Sequence, residues 1–143
     1  MGEIDFHLKK EKMKQKTTNL KLPNELKKVI NDYIFGMNES NYKKILNVFD
    51  KNSSIVGFIN NKNFNFDEES FANFISKQEP LSKDKMREIK FEIILCEIHE
   101  KNCNLIIKNV FLNKVFLDTL FLKKINNKWK IINKLFLGSK LKE

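Results

Sequence analysis

Directly after Pro23, apolar residues recur every three or four positions: Leu26, Val29, Ile30, Tyr33, Ile34 and Met37. That spacing lines one face of an α-helix, and Pro23 suits its first position. Gly36, near the end of the run, is expected to cap the helix C-terminally. Ser40 is then expected to cap a short second helix with Tyr42, Ile45, Leu46 and Phe49 on its buried face. Residues 53–59 read as a strand, Asn60-Asn61 as a turn, and residues 63–66 as a second short strand. Asp67 is a good N-cap for a helix that turns Phe71, Phe74 and Ile75 inward and stops before Pro80.

From residue 87 the period changes from helical to alternating. Four β-rich runs follow at 88–99, 104–112, 115–124 and 128–137, separated by Lys101-Asn102, Asn113-Lys114 and Asn126-Asn127. Asn tolerates the left-handed backbone that tight hairpins need. Helices first and a meander second predict an α+β fold, with helices packed on one face of an antiparallel sheet.

Two-residue hairpins at those turns fix a register. One face then carries Asn109 opposite Asp118, with Asn133 diagonal to them, among Ile94, Cys96, Ile98, Leu105, Ile107, Leu120, Leu122 and Ile131. An apolar face with a few convergent polar groups is the pattern of a ligand pocket. The other face mixes lysines with Ile93, Ile106, Val110, Leu117, Phe121, Ile132 and Phe136. That is more apolar surface than one solvated face usually exposes, so a partner subunit is expected there. A β-bulge would flip every side chain beyond it. In this register Cys96 and Cys103 share a face two pairs apart, too far to bridge easily, and both read as inert packing residues.

Length and composition narrow the function. The 143 residues, 41% hydrophobic, suffice for one core and leave little room for a second domain. Residues 1–20 are expected as a flexible basic tail, 21–138 as the domain and 139–143 as a short C-terminal tail. No apolar run approaches the roughly 18 residues of a membrane helix, and two cysteines without a secretory segment suit a reducing cytoplasm. The net charge of +9 invites a nucleic-acid reading. However, 26 of the 27 basic residues are lysine and only Arg87 is arginine, the residue that grips phosphates and guanine edges in bidentate fashion. The positive charge lies mostly in the last third, where Lys123, Lys124, Lys128, Lys130 and Lys134 form one patch with few interleaved aromatics. Nucleic acid is therefore a poor candidate partner.

Asp118 is the strongest candidate for chemistry. On a pocket face it would be a hydrogen-bond acceptor or general base. Alternatively, Asp118, Asn109 and Asn133 form a self-satisfied polar cluster that fixes register. Trp129 is either a stacking platform or a core plug, and the Tyr33 hydroxyl reaches either the cavity or its rim. Neither His7 nor His99 sits among potential ligands, so no metal or cofactor is implied.

Three stretches carry a resemblance: Leu26 to Gly36, Asn47 to Phe49, and above all Phe116 to Phe136, with Asp118, the Asn126-Asn127 turn, Trp129 and the Asn133-Lys134 pair. Together they resemble the putative lumazine-binding family of the nuclear transport factor 2-like, ketosteroid-isomerase-like superfamily, over residues 23–137. Two positions depart from the family pattern: Asn126-Asn127 replaces an acidic-Gly turn, and Asp50 follows Phe49 where many members have His. The resemblance implies a cone-shaped fold with a curved sheet around the helices, a pocket at the wide end and dimerisation through the sheet. The expected protein is thus a cytoplasmic homodimer with a cavity for a small, largely apolar molecule. Tyr33, Phe49, Asn109, Asp118, Leu120, Trp129, Ile131 and Asn133 would contact that ligand. Two alternatives stand beside it: an isomerase or dehydratase with Asp118 shuttling a proton, and an interaction module that binds a different protein through the sheet.

Overall fold

The computed structural model describes residues 22–140; the N-terminal tail expected at 1–20, with His7, lies outside them. After Pro23, α1 runs Asn24–Asn38 and buries Leu26, Ile30, Tyr33, Ile34 and Met37, the stripe that the three-and-four spacing predicts. Gly36 is inside this helix rather than capping it. A Cβ there would sit 3.0 Å from Ile45 Cδ1, so the missing side chain lets α2, Tyr42–Val48, pack close. The left-handed residue of this connection is Ser40, with φ 55°. Asn41, not Ser40, caps α2, its side chain accepting from Lys44 N at 3.0 Å. The strand β1, Phe49–Ile59, and β2, Lys62–Phe66, form a hairpin whose turn residues Asn60 and Asn61 both have positive φ. The helix α3, Glu68–Ser76, opens on a reciprocal capping box between Asp67 and Ser70. A single turn, α4, Lys83–Arg87, precedes the meander β3 Phe91–His99, β4 Asn102–Phe111, β5 Lys114–Ile125 and β6 Lys128–Lys140. Residues 139 and 140, expected as tail, are therefore strand.

The six strands lie in the order β2-β1-β6-β5-β4-β3. All neighbours are antiparallel except β1 and β6, which run parallel. The fold is α+β, a curved sheet with the helices against its inner face. Their apolar stripes meet Leu105, Ile107, Leu120, Leu122 and Ile131 in one buried cluster. At the β1–β6 crossing a Cβ on Gly57 would lie 2.0 Å from the Phe136 carbonyl oxygen, so only glycine permits that approach.

The register departs from the expectation in two ways. First, the β3–β4 and β4–β5 turns each come one residue earlier, at Glu100-Lys101 and Leu112-Asn113, so Ile98 opposes Cys103 and Ile107 opposes Asp118. A displacement of this kind changes opposite neighbours but preserves faces. Second, the turn at Asn126-Asn127 is as expected and pairs Leu122 with Ile131, but the next pair is Phe121 with Asn133. Ile132 is a bulge, and everything beyond it on β6 changes face. Asn133 leaves the inner face, while Lys134 and Phe136 enter it, Lys134 opposite Leu120. A second bulge at Ile94 likewise puts Ile93 on the inner face.

Candidate functional site

A buried polar knot interrupts the core where α1 packs against β6, beside Asn109 of β4 and Asp118 of β5. Helical phase points Tyr33 inward from α1, and strand alternation does the same for Asn109 and Asp118. The Ile132 bulge delivers Lys134. Tyr33, Asn109, Asp118 and Lys134 are all less than 5% exposed. The Tyr33 hydroxyl donates to Asp118 Oδ2 at 2.6 Å, and Asn109 Nδ2 donates to the same oxygen at 2.9 Å. Lys134 Nζ stands 3.9 Å from it.

The environment of the amine is mainly aromatic. Nζ lies 4.5 Å from the centre of the Phe71 ring, 4.9 Å from that of Tyr33 and 5.3 Å from that of Phe136, and 3.7 Å from Met37 Sδ. Ring faces carry negative potential and so supply part of the solvation that water would give an ammonium. Burial nevertheless lowers the Lys134 pKa from its ordinary value, with Asp118 opposing that fall. Burial also raises the Tyr33 hydroxyl well above its usual value, and the adjacent Asp118 adds to the rise. Tyr33 therefore stays a protonated donor.

All three partners converge on one carboxylate oxygen. Among the described residues, Asp118 Oδ1 and Asn109 Oδ1 are buried without a hydrogen-bond partner. Each such orphan costs about 1–3 kcal/mol of unrecovered solvation. Both residues line a cavity walled by Phe66, Phe71, Phe74, Phe111, Phe116 and Phe136. The cavity between these rings is small, about 20 Å³. That is room for about one water. Asn109 and Asp118 thus give a polar floor to a small recess with aromatic walls.

The sequence-derived site is brought together only in part. Tyr33, Asn109 and Asp118 meet, although Asn109 contacts Asp118 along a diagonal, since Asn109 opposes Phe116. Asn133 does not join them, because the bulge turns it to the outer face. Phe49, Leu120 and Ile131 are buried core residues that do not line the cavity; Phe49 packs edge-on against both Tyr33 and Phe71. Trp129, 4% exposed, lies at the far end of β6 beside a separate surface groove with Glu25, Asp32 and Asn47, so it is no platform for a ligand above Asp118. The basic patch also loses Lys134 to the interior, and Lys124 faces Glu25 at 3.5 Å. Lys134 and the phenylalanine walls are the elements the sequence reading lacks. The adjacent Ile131-Ile132, where strict alternation would place a polar residue, is the only local hint of the bulge. Among the described residues, no cluster of His, Cys, Asp and Glu could hold a metal, and no helix is long and apolar enough to cross a membrane.

Comparison with known proteins agrees with this architecture. A family model described as putative lumazine-binding matches residues 23–137. An NTF-2 like protein of unknown function from Silicibacter pomeroyi superposes with a TM-score of 0.71 at 16% identity, covering 78% of this chain and 91% of that one. An NTF2-like protein of unknown function from Shewanella baltica gives 0.69 at 19% identity, over 80% and 90% of the two chains. A third, from Methylobacillus flagellatus, gives 0.70 at 19% identity with the same coverage. No curated protein matches the chain.

Proposed function

The chain belongs to the putative lumazine-binding family, and from that membership we propose that it binds a small, largely apolar molecule in the aromatic cavity above Asp118. The observation that carries this reading is the pair of orphaned acceptors, Asp118 Oδ1 and Asn109 Oδ1, on residues that line the cavity. Leaving two buried acceptors unpaired is costly unless something supplies donors. A flat ring with one or two N–H or O–H groups meets both demands, because its faces pack on phenylalanines and its donors meet the oxygens. A ring-sized molecule does not fit the present space, so its entry requires a wall residue to swing out. Phe66 and Phe74, only partly buried, stand at the rim. Calorimetric titration with phenol and with lumazine tests the reading. Binding with a negative heat-capacity change, weakened at least about tenfold by Asn109→Leu, is expected from loss of a polar partner and burial of apolar surface. Absence of binding by either probe at millimolar concentration would count against it.

One observation favours a second reading, proton transfer by Asp118. The sequence offers that carboxylate no acid or base partner, whereas Tyr33 and Lys134 lie against it at 2.6 and 3.9 Å. A ligand with an acidic C–H placed at the free Oδ1 would have a base with a hydrogen-bonded acid behind it. Exchange of such a proton with deuterated solvent, abolished in Asp118→Asn, is the expected signature. For assembly, the outer face supports a homodimer: Phe58, Val110, Phe121 and Leu135 are 41–53% exposed on it, and a second copy would cover them.

A further inference from the structure

Away from the cavity, the earlier β3–β4 turn has a chemical consequence. With Cys96 opposite Leu105 and Ile98 opposite Cys103, the two cysteines are diagonal neighbours on the inner face. Their sulfurs are 3.8 Å apart, contrary to the separation that the expected register implies. Cys103 is 1% exposed, whereas Cys96, on the edge strand β3, is only partly buried. One thiol is therefore reachable and the other is held directly behind it.

We propose that Cys96 and Cys103 form an oxidisable dithiol that reduces a small hydroperoxide and closes to a disulfide within one chain. The Cys96 thiolate attacks the outer peroxide oxygen, and the O–O bond breaks. The leaving oxygen takes a proton and departs as alcohol or water, while Cys96 becomes a sulfenic acid. The Cys103 sulfur then attacks Cys96 sulfur, and the sulfenic oxygen leaves as water with the Cys103 proton. Two thiols thus supply two electrons and two hydrogens, and the peroxide is reduced to alcohol plus water. The order of roles follows first from position: Cys96 is partly exposed on the edge strand, and Cys103 is buried behind it. The hydrogen bond with Cys103 lowers the Cys96 pKa against the effect of burial, and the same bond, aided by burial, holds Cys103 well above the ordinary thiol value. Cys96 is accordingly the attacking sulfur and Cys103 the resolving one. Closure encloses the six residues 97–102 around the Glu100-Lys101 turn and clips the edge strand to β4, since Cys96 belongs to one and Cys103 to the other.

The test uses the full chain, reduced and then exposed to a small excess of hydrogen peroxide at low protein concentration. Lys101 lies between the cysteines, so trypsin separates residues 91–101 from residues 102–108. The expected product is those two peptides joined by a disulfide, with an intact mass lower by two hydrogen atoms, reversed by dithiothreitol. Cys103→Ser is expected to stop at a sulfenic acid on Cys96, trapped by dimedone. Cys96→Ser is expected to lose the remaining thiol at least about tenfold more slowly. The proposal is overturned if both wild-type thiols survive, if the wild type gains oxygen without forming the cross-link, or if the disulfide joins two chains. Equal oxidation rates for Cys96→Ser and wild type overturn it as well. The wild-type peptide map decides the matter even where a serine variant folds poorly.

Discussion

Replacing Lys134 by methionine keeps an unbranched side chain of similar reach among Phe71, Phe136 and Tyr33 but removes the charge beside Asp118. At 3.9 Å, and with the effective dielectric of about 20 that suits buried protein sites, the attraction is about 4 kcal/mol. The ring faces add about 0.5–2 kcal/mol. Against these stands the cost of desolvating the ammonium, which methionine avoids. What remains in the variant is a buried carboxylate with no cation. Breaking such a pair by removing one partner typically costs 3–5 kcal/mol, while replacing both partners is far milder. Burial outweighs Asp118 in setting the Lys134 pKa, so relief of desolvation offsets much of that loss in Lys134→Met. The expected result is a loss for Lys134→Met with Asp118→Asn smaller by about 0.5–3 kcal/mol than the two single changes sum to. Urea denaturation at neutral pH, followed by the fluorescence of the single tryptophan, Trp129, measures all four corners of the cycle. A strictly additive cycle would refute the claim that these groups interact.

The same cycle carries a pH signature. The folded-state pKa of Lys134 is lowered from 10.5, so between that lowered value and 10.5 the unfolded chain binds more protons than the folded one. Stability referred to the Lys134→Met variant must then rise with pH through that window, and its gain is lost as pH falls through the folded pKa. Tyr33 works in the opposite sense. Its folded pKa is raised above 10.0, so its contribution is full below about pH 10 and is lost as pH climbs further.

Tyr33→Phe removes a hydrogen bond to a carboxylate and is expected to cost about 1.5–3 kcal/mol in denaturant titrations; the same variant should lose the alkaline decline just described. Gly57→Ala would place a Cβ 2.0 Å from the Phe136 carbonyl oxygen; since backbone must move, a loss of about 3 kcal/mol or more is expected, with amide exchange accelerated along β1. Phe121→Lys combined with Leu135→Lys should yield a monomer in sedimentation equilibrium where the wild type is dimeric; a wild type that is already monomeric contradicts the proposed dimer.

Much of the site was legible because strand alternation tolerates some errors. The first two meander turns lie one residue earlier than the Asn positions suggest, yet Asn109 and Asp118 remain on one face, since displacing both partners by one residue keeps their faces. Tyr33 was legible for a similar reason: helical phase assigns it to the stripe of Ile30, Ile34 and Met37 wherever the helix ends. The bulge at Ile132 was different. A single inserted residue exchanged Asn133 for Lys134, turning an expected amide cluster into one built around a buried amine. Nothing in Lys-Ile-Ile-Asn-Lys requires that insertion locally; it is tied to the parallel pairing of β6 with β1, where the register also shifts between Phe49 and Ser54. The aromatic walls were illegible for another reason. They come from β2, α3 and three strands of the meander, and only the tertiary fold gathers them. The cysteine contact depends on the turn position alone, since a diagonal neighbour and a residue two pairs away differ by that single step.

The proposed binding rests on the free acceptors of Asp118 and Asn109 meeting a donor-bearing ligand among the phenylalanines. It is tested most directly by following the Asn109 side-chain amide and the Phe71, Phe74, Phe116 and Phe136 ring signals by NMR during a titration with phenol. The account predicts saturable shifts at those groups, with contacts from the phenol ring protons to the phenylalanine walls. Shifts confined to the outer face, or none at those groups at saturating phenol, would contradict it.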